Sequence, residues 1–194
     1  MNRSLPSEAT ERAWMERMRA GDEAAFELLF HRYYRPLFLF AERFVHSAEV
    51  AEDLTVDVFV RLWERRGERE VHGSVRGYLY TAVRNAALSH LKRERMVQRA
   101  HESVLRDDVL PGHARPSLGA DARVQAREVA QAVDEAIERL PDRTREAFVL
   151  HRKHGLTYAE VAEVMEISPR TVEVHIRTAV KSLRASLSAF VAAQ

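Results

Sequence analysis

Between Ala48 and Trp63 the apolar residues recur at the period of an α-helix, on two sides of it at once. Val50, Leu54, Val58 and Leu62 form one row at four-residue steps, and Val56, Phe59, Val60 and Trp63 form another. A surface helix needs an apolar stripe only about 100° wide, and this one is far wider. Only Asp53, Asp57 and Glu64 hold a narrow polar strip between the rows. Such a helix is either buried in the middle of a bundle, or sets its second row against another macromolecule with the carboxylates guiding a basic surface. Both readings commit this part of the chain to helical packing.

A second helix follows with the opposite charge. Val75, Leu79, Ala82, Val83 and Ala86 make its core face, and Thr81, Arg84, Asn85, Leu88, Lys92 and Arg95 fall on the other side. Arg76 to Arg99 holds six Arg or Lys against one Glu, a net of +5, whereas Ala48 to Glu64 holds five acids against one Arg, a net of −4. The chain as a whole is nearly neutral at +1, so the charge is segregated rather than missing. A charge run is most simply a solvated face. Tyr78 and Tyr80 beside this one favour a nucleic acid, because exposed aromatics stack on unpaired bases.

The remaining segments divide around these two. Asn2 to Ala20 is polar and is expected to fray, with a short helix around Ala13, Trp14 and Met18. Asp22 is an N-cap, and Phe26, Leu29, Phe30, Tyr33, Leu37, Phe40 and Phe44 then mark a long core helix kinked at Pro36. Periodicity is lost from Ala100 to Val124, where Pro111-Gly112, Pro116 and Gly119 read as a linker. Beyond it Val129, Val133, Ile137 and Leu140 form a core stripe that Pro141 ends, and a helix from Asp142 to His154 stops at Gly155.

Thr157-Tyr158-Ala159-Glu160 matches a capping box, and Ser168-Pro169 an N-cap followed by proline at the first helical position. A short helix to Met165, a tight turn and a longer helix through about Leu187 make a helix-turn-helix. In the last helix Val172, Ile176, Ala179 and Leu183 face the core, whereas Arg170, Val174, Arg177, Lys181 and Arg184 face outward. Cations interleaved with small apolar groups suit phosphates, guanine edges and thymine methyls.

The expected fold class is therefore all-α, with two small helical domains joined by a flexible linker and a helix-turn-helix in the C-terminal one. The boundaries read as an N-terminal extension over 1–20, a helical domain over 21–99, a linker over 100–124 and the helix-turn-helix domain over 125–194. The absence of cysteine excludes disulfides and thiolate zinc sites. No apolar run approaches the ~18 residues of a membrane span, so a cytoplasmic protein without membrane insertion is expected. His151 and His154 lack a third ligand, and Asp107-Asp108 reads as a solvated pair in the linker. With no phosphate loop or nucleophile elbow, neither a cofactor, a metal nor an enzyme activity is expected.

Taken in order, these motifs resemble a known family. Ala51 to Trp63 resembles region 2.2 of bacterial sigma-70 factors. Arg76-Gly77-Tyr78-Leu79-Tyr80, Asn85 and Leu91-Lys92-Arg93 resemble regions 2.3 and 2.4. Leu140-Pro141, Leu156 to Ala162 and Ser168-Pro169-Arg170-Thr171-Val172 are similar to region 4. The presence of these two regions alone resembles the extracytoplasmic-function (ECF) subfamily. The resemblance implies core RNA polymerase, promoter DNA and an anti-sigma factor as partners. It implies polymerase docking through Asp53, Asp57, Val58, Phe59, Leu62 and Trp63. For the −10 element it implies Arg76, Tyr78, Tyr80, Arg84, Asn85, Lys92, Arg93 and Arg95. For the −35 element it implies Ser168, Arg170, Thr171, Val174, His175, Arg177, Thr178 and Lys181. The linker, with Asp107 and Asp108, would thread toward the polymerase active site. Val56-Asp57 stands where family members often carry Gln-Glu, Ser89 where they carry Asp, and Val180 where they carry Arg. The alternative is a response-regulator or quorum-type activator that binds duplex DNA without being a polymerase subunit. It would bring a strand-bearing receiver or ligand domain, for which the chain has no pattern. A protein-only adaptor would leave two basic faces unused.

Overall fold

The computed structural model of the chain describes residues 7–68, 73–102 and 131–192. Among them there is no strand. Eight helices follow in order: α1 (Glu8–Arg19), α2 (Glu23–Val45), α3 (Ala48–Glu64), α4 (Val75–Glu102), α5 (described over 131–138), α6 (Asp142–Arg152), α7 (Tyr158–Met165) and α8 (Pro169–Ala192). They group into two compact units, one built on Met1–Val104 and the other on Leu105–Ala162 with Ile167–Gln194. The linker acids Asp107 and Asp108, and Val129 of the expected core stripe, lie outside the described residues.

In the first unit each helix start is marked by a short polar side chain. Ser7, Asp22 and Ser47 accept from the backbone N–H groups of Thr10, Ala25 and Val50, meeting donors that a helix terminus otherwise leaves unpaired. Arg17 donates to Asp22 at 2.8 Å and, with the Ala25 N–H, holds that carboxyl below its ordinary range. α2 continues without a break through Pro36, whose ring forfeits one backbone bond. Its core side is Leu29, Tyr33, Leu37 and Phe40, to which α3 adds Leu54, Val58, Phe59 and Leu62, and α4 adds Val75, Leu79, Tyr80 and Val83. Phe30 and Phe40 meet Phe59 and Tyr80 edge-on at 4.9 and 5.1 Å.

The short helix expected around Ala13, Trp14 and Met18 is present as α1, which is longer than that expectation and packs on α2 and α4 with Met15 and Met18 buried. Glu11 is buried with them at 2% exposure. Its Oε1 lies 3.8 Å from Arg32 Nε on α2 and 4.0 Å from an Arg76 guanidinium nitrogen on α4. A charge so far from water persists only with opposite charges beside it, so the cluster ties three helices together.

Tyr33 and Tyr80 are both 2% exposed. Burial raises both phenols well above the ordinary 10.0, and Glu11 adds to the effect on Tyr33. The unfolded chain ionises them near pH 10 while the folded chain keeps them neutral. Stability is therefore whole below about pH 10 and falls as pH rises above it. Urea midpoints are expected to be flat up to about pH 9 and then to drop, with a shallower drop in Tyr80→Phe.

The second unit is centred on Ala136, Ile137, Leu140, Val149, Ala179 and Leu183, with Val133 and Phe148 partly buried against them. Lys153, just past the end of α6, donates to Asp134 of α5 at 2.9 Å. α6 ends at Arg152, two residues before the expected His154, and Gly155 takes φ +71° just beyond. The capping box of α7 is closed in both directions. The Thr157 N–H donates to Glu160 Oε2 at 2.7 Å, and the Glu160 N–H to Thr157 Oγ1 at 3.2 Å. Glu166 turns the chain with φ +55°, and Ser168 Oγ then accepts from the Thr171 N–H at 3.1 Å to open α8. Thr157→Ala is expected to lower unfolding stability by about 1 kcal/mol, read from the urea midpoint.

Candidate nucleic-acid and polymerase interfaces

Three surfaces carry the residues that the sequence singles out. The first is the outer side of α3. Asp53 and Asp57 are exposed, and Val56 and Val60 stand out at 39% and 46% exposure. Val58, Phe59 and Leu62, expected at a docking surface, are core residues at 7%, 1% and 6% exposure. They shape this face from beneath. Trp63 is half-buried, with its ring 5.2 Å from Phe26 and the Arg66 guanidinium 4.3 Å above it. The two apolar rows thus divide. Phe59 turns into the bundle, and Val56 and Val60 stay exposed.

Beside this face runs a ladder of which the sequence pattern names only Phe30, as a core residue. Phe30, Tyr34 and Phe38 are half-buried and stack at 4.9 and 6.5 Å, and the Tyr34 hydroxyl donates to Glu52 Oε1 of α3 at 3.1 Å. Leu28 and Leu39 extend the apolar exposure of α2, each at 42%. The signal for it is the four-residue step from 30 to 34 to 38, offset from the buried row 29, 33, 37.

The second surface is a cleft of about 660 Å³ between α1, α3 and α4. Arg19, Arg61, Arg65, Arg66, Lys92 and Arg93 line it against the single acid Asp57, with Tyr78 and Asn85 in its wall. Arg61 is paired with Asp57, and the five other cations around them make a surface suited to a polyanion, with the tyrosine offering a ring to stack on. Of the −10 residues implied by the sequence, Tyr78, Asn85, Lys92 and Arg93 come together here. Arg95 is exposed on α4 but does not line the cleft. Tyr80 and Arg84 are buried, at 2% and 6%, contrary to the reading of Tyr80 as an exposed stacking ring and of Arg84 as a solvent-face cation. Arg76 sits beside Glu11. The four remaining cations escape the sequence reading because they come from the end of α1 and from α3 and the turn after it.

The third surface is the outer side of α8. Ser168, Arg170, Val174, Arg177, Thr178 and Lys181 are exposed, and Thr171 and His175 are half-buried. Glu173 is exposed among them, a carboxylate able to accept from cytosine N4 and one that the sequence reading passed over. His151 is committed elsewhere, its Nδ1 lying 2.8 Å from the Leu156 carbonyl oxygen. No group of three metal-ligating side chains occurs among the described residues.

Two family models match the chain, sigma-70 region 2 over residues 29–96 and sigma-70 region 4 over residues 130–183. The chain belongs to the sigma-70 family.

Its relatives place it in the ECF subfamily. It is 31% identical over 154 residues to the ECF RNA polymerase sigma factor SigM of Mycobacterium tuberculosis, covering 79% of this chain and 72% of that protein. It is 29% identical over 165 residues to the RNA polymerase sigma-H factor of Pseudomonas aeruginosa, covering 84% of this chain and 86% of that one. The fold is that of the sigma factor RpoE of Bartonella quintana, solved with the anti-sigma factor NepR, at a TM-score of 0.60 and 21% identity over 84% of this chain and 96% of that one. In this sigma factor the cleft extends past the family match, since region 2 begins at residue 29 and Met15, Met18 and Arg19 of α1 precede it.

Proposed function

We propose that this ECF sigma factor docks on core RNA polymerase through the outer side of α2 and α3, engages the opened −10 element in the cationic cleft, and reads the −35 element with α8. The observation that carries this reading is charge segregation on one chain. An acidic face with exposed Val56 and Val60 sits on α3, a cationic cleft with a tyrosine lies behind it, and a basic outer face runs along α8. Asp53 steers a basic polymerase surface onto the apolar patch, where the half-buried Trp63 adds area, while Asp57 at the edge of the cleft is paired with Arg61. In the cleft, stacking on Tyr78 at about 1–3 kcal/mol per base offsets the few kcal/mol that extruding a base costs. Phosphate contacts from Arg61, Arg65, Lys92 and Arg93 supply the rest. On α8, Arg177 and Lys181 serve phosphates or guanine edges, and Val174 a thymine methyl.

An anti-sigma factor that covers the same α2 and α3 face would keep the protein off the polymerase. The chain beyond α4, which is helical to Glu102 rather than ending at the expected residue 99, carries Asp107 and Asp108 and is assigned the path toward the polymerase active site. The protein acts as an initiation factor rather than a catalyst, and works in the cytoplasm beside the polymerase. No helix among the described residues is long and apolar enough to cross a membrane.

The experiment that tests the proposal is native co-purification with bacterial core RNA polymerase, followed by transcription in vitro. A stable complex that starts at discrete sites is expected. Duplex binding with no affinity for polymerase would instead favour the activator reading. For the cleft, Lys92→Ala with Arg93→Ala is expected to flatten the salt dependence of single-strand binding, by about 0.7 in log–log slope for each phosphate left without its cation. An unchanged slope would remove both side chains from the path of the strand.

A further inference from the structure

One polar side chain on the outer face of α8 is held from behind. His175 is half-buried, and its Nδ1 lies 3.0 Å from the hydroxyl oxygen of Thr144 on α6. Thr144 is 5% exposed and lies outside the −35 set named above. The two helices pack directly on each other, Val149 of α6 meeting Ala179 and Leu183 of α8 in one core. The pair therefore bridges the joint that sets how α8 is presented.

The direction of the bond follows from what each partner has to offer. A threonine hydroxyl carries one proton, and each nitrogen of a neutral imidazole either donates or accepts. Thr55, also buried, spends its hydroxyl on its own helix, donating to the Ala51 carbonyl at 2.7 Å. Among the described residues the Thr144 hydroxyl has His175 as its hydrogen-bond partner and no carbonyl of α6. A proton on Nδ1 would be donated to Thr144 and leave the buried hydroxyl proton without an acceptor, which folded proteins avoid. When Thr144 donates, both groups are satisfied and the ring proton resides on Nε2.

We propose that Thr144 is a positioning residue for duplex recognition. Its hydroxyl donates to His175 Nδ1, fixing the Nε2–H tautomer and the ring plane, so that α8 presents an N–H donor beside Arg177 and Thr178. The matching group on the duplex is a hydrogen-bond acceptor, either a phosphate oxygen or the N7 or O6 edge of a purine. This rests on the assignment of α8 to promoter DNA.

The test uses the full chain with histidine labelled in nitrogen-15, for which the ring shifts of His175 report the tautomer without any DNA. The Nε2–H form is expected in the parent protein. A mixture is expected in the near-isosteric Thr144→Val, and the parent pattern again in Thr144→Ser. Binding is then measured to duplexes enriched from a random pool by the parent chain and to an unrelated duplex of equal length. Thr144→Val is expected to weaken binding about three- to tenfold, the worth of one hydrogen bond, with Thr144→Ser close to the parent. An equal loss on both duplexes identifies a phosphate acceptor, and a loss confined to the enriched duplex a base edge. A parent ring protonated at Nδ1, or a Thr144→Val chain that loses the tautomer yet binds as before, overturns the proposal. A parent chain that binds no duplex at all would instead count against the promoter assignment, and the ring shifts would still decide the Thr144–His175 bond.

Discussion

Replacing Glu11 by alanine is expected to lower the stability of the first unit by about 3 kcal/mol and to loosen α1 from it. Glu11 is 2% exposed, and the side chains of Arg32 and Arg76 that flank it are only 24% and 20% exposed. Without the carboxylate, both guanidiniums lose the acid they share in a site that water reaches poorly. Taking the one acid out of a poorly hydrated charge cluster costs far more than a surface ion pair contributes. Arg32→Ala should cost less, because Glu11 keeps Arg76. The order of the two midpoints in urea, Glu11→Ala below Arg32→Ala, therefore tests the cluster as well as the size of the effect. Amide exchange in α1 should rise in Glu11→Ala, since Met15, Met18 and the Arg17–Asp22 pair must then hold the helix. An unchanged midpoint would mean that α1 is held by its apolar side and that the buried charges are incidental. Loss of α1 would also take Arg19 from the cleft, so binding of a single strand should weaken in the same variant, though no residue of the −10 set is altered.

The caps and the two sides of α8 are legible in the sequence because their physics is local. Thr157 and Glu160, or Ser168 and Thr171, meet within one turn, so spacing alone pairs them. Glu11 is different. In isolation it is one acid on a polar helix, and its partners lie 21 and 65 residues further along the chain. The two tyrosines of α4 show a limit of reading composition in place of geometry. Residues two apart on a helix point about 200° away from each other, so Tyr78 and Tyr80 cannot share one face. Once Tyr78 lines the cleft, Tyr80 must turn to the core, and Arg84, one turn on, follows it inward. The cleft itself is not legible at all, because Arg19, Arg61, Arg65 and Arg66 come to one rim only when α1, α3 and α4 pack. In α3 the width of the apolar surface was readable, whereas the burial of Phe59 and the exposure of Val56 and Val60 depend on where Phe26 and Phe30 of α2 arrive.

The division of labour between the two units leads to a paired result. Trp63→Ala is expected to weaken binding to core polymerase tenfold or more, a loss of about 1.4 kcal/mol or greater, and to leave duplex binding by α8 as it was. Arg177→Ala is expected to do the reverse, lowering promoter affinity by about 1–3 kcal/mol with polymerase affinity intact. Each residue suits the test for a physical reason. Trp63 is half-buried and rests on Phe26 under the Arg66 guanidinium, so its removal takes apolar area from the acidic face without opening the centre of the core. Arg177 is exposed on the outer side of α8, where truncation leaves the packing of Ile176 and Ala179 untouched. Polymerase affinity would be read from a titration with labelled sigma factor, and promoter affinity from a duplex carrying the −35 element. Equal losses of both affinities in both variants would mean that the acidic face and α8 work as one surface, and the assignment of separate partners to them would fall. If Trp63→Ala alone left both affinities unchanged, the polymerase contact would belong to the stacked ladder of Phe30, Tyr34 and Phe38, and Tyr34→Ala would be the variant to carry the loss.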